Sequence, residues 1–329
     1  MAAAFLANFL FWTGLSIGAI AFAALVEVCG GEWAGPLRAT SERLRRFLPV
    51  SLIAFAALMW RSRDVYPWAQ HPVADLWLRP WLVASRDGLA LVAVYVSAFA
   101  FCRASARARR HQAATTAMRS AVVFLIVYAI GFGAIVVDSI MSLEPRSANT
   151  LFPAYVLTTN VYSGVAIAAL LSAWSPGRSS TALARARAHD IANILAGLAL
   201  FWMYLFWSQF LVIWYGNLTA EVAYMTARIG VSRVAGWMVL AMCGAAPAIV
   251  FVPQWGKQIA VIRVMAVVIL AGLWLERWIL VAPDLPKARV VVSVAMTAAY
   301  FAVFVLSIGR PSTAERRDAS PDVMRPSDS

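Results

Sequence analysis

Long apolar segments separated by short polar ones make up nearly the whole chain. Apolar runs of roughly 18 to 25 residues recur along it, and each could cross a hydrocarbon core of about 30 Å as an α-helix. The runs lack the apolar–polar alternation over about ten residues that marks the strands of a membrane barrel. Because a backbone in lipid must satisfy its own hydrogen bonds, the pattern predicts a helical membrane protein.

Nine membrane-spanning helices are predicted in one transmembrane domain over residues 1–310. They cover residues 5–28, 45–60, 83–102, 119–138, 153–174, 191–214, 233–252, 259–281 and 290–308. The first run has no basic segment before it and no small-residue cleavage site after it, so we expect a retained helix, with a signal anchor as the alternative. Residues 311–329 combine proline, serine and mixed charge, which predicts a disordered cytoplasmic tail.

Composition and charge agree with a membrane protein and indicate its orientation. The chain is 62% hydrophobic and 13% charged, with a formal net charge of +12. In a soluble protein that charge would suggest nucleic acid, but these cations fall mainly in short loops, where they set topology, so no nucleic-acid partner is expected. Eighteen of the 28 lysines and arginines lie on the side of the C-terminus. The positive-inside rule therefore predicts an N-terminus outside and a C-terminus in the cytoplasm.

Cysteine and histidine are too sparse for a metal centre within this chain. Cys29, Cys102 and Cys243 are isolated from one another, and all three histidines fall in predicted loops. A four-thiolate iron–sulfur cluster or a haem held by an intramembrane histidine pair is therefore not expected. If the protein handles electrons, partner subunits carry the metals.

Ionisable and polar residues inside the predicted spans are the candidate site. A charge in the bilayer costs several kcal/mol, so such residues usually face protein or a cavity. With the predicted orientation, the charged ones concentrate toward the outer leaflet. The candidates for quinol or proton chemistry are Arg86, Asp87, Asp138, Glu144, Tyr155, Asn160, Tyr204, Ser208, Gln209, Tyr215, Asn217, Arg233, Glu276 and Arg277. No residue is assigned with certainty as catalytic, and helix-end charges that reach to the interface are the alternative.

A quinol is a natural ligand for such a cluster. It arrives through lipid, needs hydrogen-bond partners for two oxygens, and needs carboxylates or tyrosines to take its protons. The sixth span adds a polar line, because Tyr204, Ser208 and Tyr215 fall within about 40° of one another at 100° per residue. That line is either part of the site or a helix-packing seam, and the same alternative applies to Asn160 in the fifth span.

Two acids stand at the mouth of the fourth span, in the stretch "DSIMSLEPRSANTLFPAY". We expect Asp138 to lie within the protein and to pair with an arginine, while Glu144 lies nearer water and passes protons outward. The alternative is that Glu144 and Pro145 only shape the loop.

The same stretch resembles a motif of the membrane subunits of alternative complex III, a bacterial quinol:cytochrome c oxidoreductase. These belong to the NrfD/polysulfide-reductase membrane-subunit superfamily. The family pattern Asp-x-x-Met-Ser-Leu-Glu-Pro is matched from Asp138 to Pro145, and later motif positions are matched at Thr150, Phe152 and Tyr155. The chain departs from the pattern at Arg146, Ser147, Asn149 and Pro153.

A second family motif extends the resemblance. It is matched at His189, Asp190, Phe201, Trp202, Tyr204, Ser208, Gln209, Trp214, Tyr215 and Asn217. "VYPW" at 65–68 and Arg277-Trp278 are weaker echoes. The chain has Cys243 where the family often has a histidine, and it lacks an aspartate shortly after Arg277-Trp278. The match is closest to the second, smaller such subunit of the complex.

The resemblance implies a fold, partners and a function. The fold is an all-α polytopic membrane protein, with about nine transmembrane helices in two four-helix bundles plus one peripheral helix. The partners are a sister NrfD-like membrane subunit, an iron–sulfur cluster subunit, c-type cytochrome subunits, in some complexes a terminal oxidase, and lipids. The location is the bacterial inner membrane, with the N-terminus periplasmic. The chain itself would bind quinol, or would instead assist proton movement or assembly.

Two other classes remain open on sequence. One is a scaffold subunit that anchors peripheral iron–sulfur and haem subunits without a quinol site of its own. The other is a secondary transporter, which would show spans interrupted by glycine or proline at equivalent places in two halves. No convincing pair of such spans is present.

Overall fold

The computed structural model describes residues 2–31, 35–70, 76–111, 114–144, 149–173, 181–216, 233–252, 258–281 and 290–309, and the regular elements among them are all helical. This confirms the all-α, polytopic membrane class. Six helices have the length and apolar composition to cross a membrane: Ala2–Val28, Pro80–Arg109, Thr115–Leu143, Phe152–Ser172, Ala188–Gly216 and Ile259–Val281. Two shorter apolar helices cover Arg233–Ile249 and Val292–Ile308. The tail predicted over 311–329 lies outside the described residues.

Each predicted span contains helix. The α-helices are α1 (Ala2–Val28), α2 (Gly35–Arg43), α3 (Leu48–Trp60), α4 (Ser62–Val65), α5 (Pro67–Gln70), α6 (Pro80–His111), α7 (Ala114–Val127), α8 (Gly133–Ser139), α9 (Phe152–Ala173), α10 (Thr181–Gly216), α11 (233–239), α12 (Ile259–Val281) and α13 (Val290–Ile308). A π-helix, Tyr128–Phe132, joins α7 to α8, and a second, Leu240–Ala245, continues α11 into the 3-10 helix Ala246–Phe251. The second predicted span is the 13-residue α3.

The helices pack as two four-helix bundles and one peripheral helix. The first bundle contains α1, α3, α6 and the α7–α8 unit, and the second contains α9, α10, α11 with its continuation, and α12. Helix α13 lies beside α1 and the 3-10 helix Leu44–Phe47. The main contact between the bundles is made by α1 and α9. The bundle arrangement expected from the family resemblance is therefore present in the fold.

Helix α1 is the centre of the molecule. In its most apolar 18-residue window 94% of the residues are buried, because α2, α3, α7, α9, α12 and α13 surround it. Small residues allow the close approach. A Cβ atom added at Gly18 would overlap the backbone carbonyl of Asn160, and one added at Gly164 would overlap the backbone of Ala19. Small residues at such seams are the usual means by which membrane helices pack closely.

The bundle has two ends, which we name after the buried acids that mark them. Helices α1, α6 and α9 begin at the Asp138 end and run to the Glu42 end, where α2 packs against α1 and α9. Helices α8 and α12 run the other way, so that their C-terminal turns carry Asp138 and Glu276 at the Asp138 end. Each bundle thus has an acid near the end of its fourth helix.

Candidate functional site

Asp138 is the centre of the first buried charged cluster. It lies in the last turn of α8 and is 2% exposed. Arg86 of α6 donates from Nε and Nη2 to its Oδ2 at 3.1 and 2.5 Å. The indole Nε1 of Trp77 donates to Oδ1 at 3.0 Å. The prediction that Asp138 lies within the protein and pairs with an arginine is confirmed.

The arginine of this cluster lies at its border with the surroundings. The guanidinium carbon of Arg86 is 3.8 Å from the centroid of the Trp77 ring. The Arg86 side chain is 22% exposed, and Trp77 is 52% exposed. A stacked guanidinium keeps its charge while its edge remains free to pair with carboxylates. The cluster therefore has a buried acidic side and an aromatic side open to the surroundings.

A second buried carboxylate shares the same arginine. Asp87 is 1% exposed, and its Oδ1 lies 3.6 Å from Arg86 Nε. Neither oxygen of Asp87 accepts a hydrogen bond from the residues that the structure describes. Two carboxylates beside one guanidinium favour the state in which one of them keeps a proton, because an uncompensated buried charge is costly.

A tyrosine that sequence reasoning missed completes this side of the cluster. Tyr66 stacks on Trp68, with ring centroids 4.9 Å apart, and its hydroxyl lies beside Ser139 and near both acids. Burial raises the pKa of Tyr66, the nearby Ser139 hydroxyl opposes this, and the charges of the two acids add to it. Tyr66 therefore stays a neutral donor at neutral pH. The weak "VYPW" echo was the signal that could have found it.

Hydrogen bonds from the following turn hold the cluster in place. The Trp68 indole Nε1 donates to Ser142 Oγ at 3.0 Å, and Ser142 Oγ donates to the backbone carbonyl of Asp138. Ser142 belongs to the 3-10 turn that follows α8. The turn after the fourth span thus fixes the end of α8, and with it the position of the Asp138 carboxylate.

The second bundle has a buried acid of its own, Glu276 of α12. The Tyr155 hydroxyl of α9 donates a hydrogen bond to Glu276 Oε1. The indole Nε1 of Trp202 in α10 donates to the same oxygen at 3.0 Å. Glu276 is 4% exposed. Its Oε2 lies 3.7 Å from Nη1 of Arg277, the next residue of α12.

Arg277 is held from the other side by α9. Its Nη2 donates to Asn160 Oδ1 at 2.9 Å and, at 3.4 Å, to the carbonyl of Val156. Arg277 is 1% exposed. The alternative that Glu276 and Arg277 are helix-end charges that reach to the interface is therefore wrong, because both are enclosed by protein.

The polar line predicted on the sixth span faces away from the bundle. Tyr204 is 63% and Tyr215 85% exposed, and Ser208 Oγ donates to the carbonyl of Tyr204 within its own helix. Trp202 occupies the interior face of α10, and a residue two positions later lies about 200° around the helix. The line therefore belongs to the outer surface of the second bundle and to neither acid cluster.

The remaining candidate residues that the structure describes do not belong to either of the two acid clusters. Gln209 is 8% exposed on the interior side of α10 and accepts a hydrogen bond from Asn149 Nδ2 at 3.0 Å. Glu144 is partly exposed and so lies nearer the surroundings than Asp138, as predicted. Arg233 is exposed at the start of α11 and is not brought to either acid. Asn217 lies outside the described residues.

A third charged cluster, at the opposite end, was not among the predicted sites. Glu42 of α2 is 2% exposed and receives two hydrogen bonds from the Arg109 guanidinium, at 2.9 and 2.8 Å. Ser105 Oγ donates to it at 2.5 Å, and Arg38 pairs with both Glu42 and Glu27. This cluster ties α1, α2 and α6 together. Both of its acids are ion-paired with arginine, so it is a structural clamp.

No arrangement among the described residues brings together three or more histidine, cysteine, aspartate or glutamate side chains that could hold a metal ion. The Arg86–Asp138 and Glu276–Arg277 clusters present carboxylates, guanidinium groups, phenols and indoles. Such groups bind a ligand hydroxyl and hold or pass a proton.

Fold and clusters together define an all-helical, polytopic membrane protein with buried acid–arginine clusters in both of its bundles. No protein-family model matches the chain, and no curated protein matches it either.

Proposed function

We propose that this chain is a membrane subunit of an alternative complex III-type electron-transfer complex, respiratory or photosynthetic, and that the Arg86–Asp138 cluster supports quinol oxidation. The observation that carries the proposal is one guanidinium shared by two buried carboxylates beside a half-exposed tryptophan. The family resemblance adds support, since Asp138 and Ser142 belong to its first motif and lie in this cluster.

The cluster suits the chemistry of a quinol. Oxidation of a quinol to a quinone releases two electrons and two protons, so a site needs proton acceptors and an electron acceptor within reach. The Asp87 oxygens accept no hydrogen bond from the described residues, so they can accept one from a ligand hydroxyl that reaches this buried acid, and the exposed Trp77 ring offers an aromatic surface to the quinol ring. Arg86 keeps the Asp138 charge paired while Asp87 gains or loses a proton.

The electrons need metals that belong to other subunits. In this proposal c-type haems and iron–sulfur clusters are held by the cytochrome and iron–sulfur partners, and a sister NrfD-like subunit lies beside this chain in the membrane. This chain contributes the proton acceptors and the position of the quinol. It acts as a subunit of an oxidoreductase and not as an enzyme by itself.

We further propose that the Asp138 end faces the periplasm of a bacterial inner membrane. The support is the excess of lysine and arginine in the segments on the opposite side, which the positive-inside rule assigns to the cytoplasm. The N-terminus is then periplasmic and the C-terminus cytoplasmic, and protons released at the Asp138 end leave to the periplasm.

Purification of the tagged chain with its native partners tests the function. We expect a haem or iron–sulfur protein to copurify, and quinol-dependent reduction of cytochrome c or another high-potential acceptor. Asp87→Asn and Asp138→Asn should each lower turnover in an intact complex, whereas Asp64→Asn, at an exposed carboxylate paired with exposed Arg61, should not. Absence of both the metal proteins and the activity would refute the proposal.

The second candidate function is a scaffold that anchors peripheral iron–sulfur and haem subunits. The outward-facing tyrosines Tyr204 and Tyr215 of α10 favour it, because exposed aromatic side chains that carry a hydroxyl suit a contact with a partner protein. The double variant Asp138→Asn with Glu144→Gln separates the two functions. Unchanged turnover in an intact complex would favour the scaffold.

A further inference from the structure

We propose that Glu276 is the acid of a second, enclosed proton-exchange site in the second bundle, and that the amide pair Gln209–Asn149 connects this site to the Asp138 end. The proposal does not depend on quinol oxidation, because its residues belong to a different bundle from Arg86 and Asp138.

The Glu276 carboxylate is bonded unevenly. Oε1 receives hydrogen bonds from Tyr155 and Trp202, while Oε2 receives none from the described residues. Arg277 Nη1 faces Oε2 at 3.7 Å and also has no hydrogen-bond partner among them. Buried polar groups are nearly always satisfied. Oε2 and Nη1 face each other as an ion pair without a hydrogen bond, so Oε2 is the oxygen on which Glu276 can take up a proton.

Glu276 is the group in this enclosure that is free to exchange a proton. The other titratable or charged groups that face it are Tyr155 from α9, Cys243 from the π-helix after α11, and Arg277 from α12 itself. Tyrosine, cysteine and arginine all hold their protons more tightly than a carboxylic acid does. Arg277 is also tied to α9, so the cation stays in place while the acid changes charge.

A buried polar pair lies between this acid and the Asp138 end. Gln209 follows Trp202 by seven residues on α10, which places it on the same face of the helix and about 10.5 Å farther along it. Its Oε1 accepts the hydrogen bond from Asn149, which precedes α9 and is partly exposed. The amide pair therefore lies between the Glu276 site and the surroundings at that end.

Infrared difference spectroscopy of the purified full-length chain in lipid nanodiscs, recorded between acidic and alkaline pH, tests the site. We expect a carbonyl band of a protonated carboxylic acid that is lost in Glu276→Gln and retained in Asp138→Asn. Tyr155→Phe and Trp202→Phe should shift this band to higher frequency, because each removes a hydrogen bond to Oε1. These two variants keep the acid, so they decide the question even where Glu276→Gln does not fold.

The connection is tested by the rate at which the same band shifts after transfer into D₂O. Gln209→Leu should slow this exchange, whereas Ser208→Ala, on the outward side of the same helix, should leave it unchanged. A spectrum in which Glu276→Gln removes no carbonyl band, or in which the band that it removes keeps its frequency in both phenylalanine variants, would overturn the acid assignment. Exchange as fast in Gln209→Leu as in the unmodified chain would overturn the connection.

Discussion

Arg86 and Asp138 lie 52 residues apart in the chain, yet two nitrogens of the Arg86 guanidinium meet one oxygen of the Asp138 carboxylate inside the first bundle. The pair joins α6 to the end of α8. Trp77 completes it by stacking on the arginine and donating to the acid. The arginine is the only described cation that compensates both Asp138 and Asp87.

Arg86→Gln should therefore destabilise the protein strongly. Removing one partner of a buried ion pair typically costs about 3–5 kcal/mol, because the remaining charge is left uncompensated. The free energy of unfolding in mixed detergent and denaturant measures the loss. Arg61→Gln is the matched control, since its side chain is 70% exposed, and it should change stability by no more than about 1 kcal/mol.

Asp87→Asn should raise the free energy of unfolding or leave it nearly unchanged, in contrast to Arg86→Gln. It replaces a buried carboxylate that receives no hydrogen bond from the described residues by a neutral side chain of the same size. The change gives up only the ion pair with Arg86 at 3.6 Å, and it removes the cost of a buried charge. The same unfolding measurement applies. A destabilisation as large as that of Arg86→Gln would show that Asp87 is a full partner of the arginine.

Gly18→Ala should weaken the contact between α1 and α9. The added Cβ would overlap the backbone carbonyl of Asn160, which cannot move without moving α9, and overpacking of a tight seam costs at least about 1–3 kcal/mol. Gly197→Ala is the control on α10, since nothing lies within 4 Å of its added Cβ. That change should stabilise by about 0.4–1 kcal/mol. Equal effects of the two substitutions would contradict the close packing.

Glu42→Gln should loosen the Glu42 end. The change leaves Arg109 and Arg38 without the carboxylate that they share, with an expected loss of about 3–5 kcal/mol. The loss of stability should be seen as faster proteolysis between α1 and α3 and as a lower unfolding temperature. Asp64→Asn, at a carboxylate 48% exposed, serves as control and should change neither.

Cysteine labelling tests burial and orientation together. Cys29 is exposed, whereas Cys102 and Cys243 are buried, so a maleimide should label Cys29 alone in the folded protein. Because Cys29 follows α1 at the Glu42 end, the proposed orientation places it in the cytoplasm. A membrane-impermeant reagent should then label it in inverted vesicles and not in intact spheroplasts. Labelling in intact spheroplasts would reverse the proposed orientation.

The residue pattern was sufficient to predict the helices. Each span of about 20 apolar residues must satisfy its backbone hydrogen bonds internally in lipid, so length and hydropathy define a helix without knowledge of its neighbours. The same reasoning located Asp138 inside the protein, because a charge in a span needs a partner. It could not choose which of three arginines, Arg86, Arg233 or Arg277, that partner would be, and Arg233 proved to lie elsewhere.

Only tertiary packing decided which face of each helix is buried and which is exposed. In lipid both the inner and the outer face of a helix are apolar, so hydropathy carries little information about which face is buried. For that reason the sequence left the Tyr204 line open between the site and a helix-packing seam. In the structure the line faces outward, while Trp202, two residues before Tyr204, donates a hydrogen bond to Glu276.

The sequence by itself therefore determined that this is a helical membrane protein with nine apolar segments. Only the tertiary structure decided that α1 is the central helix, that Tyr66 and Asp87 join Arg86 and Asp138, and that Glu276 forms a separate cluster. The physical reason is that span formation is local in the chain, whereas pairing of buried charges depends on which helices small residues such as Gly18 allow to meet.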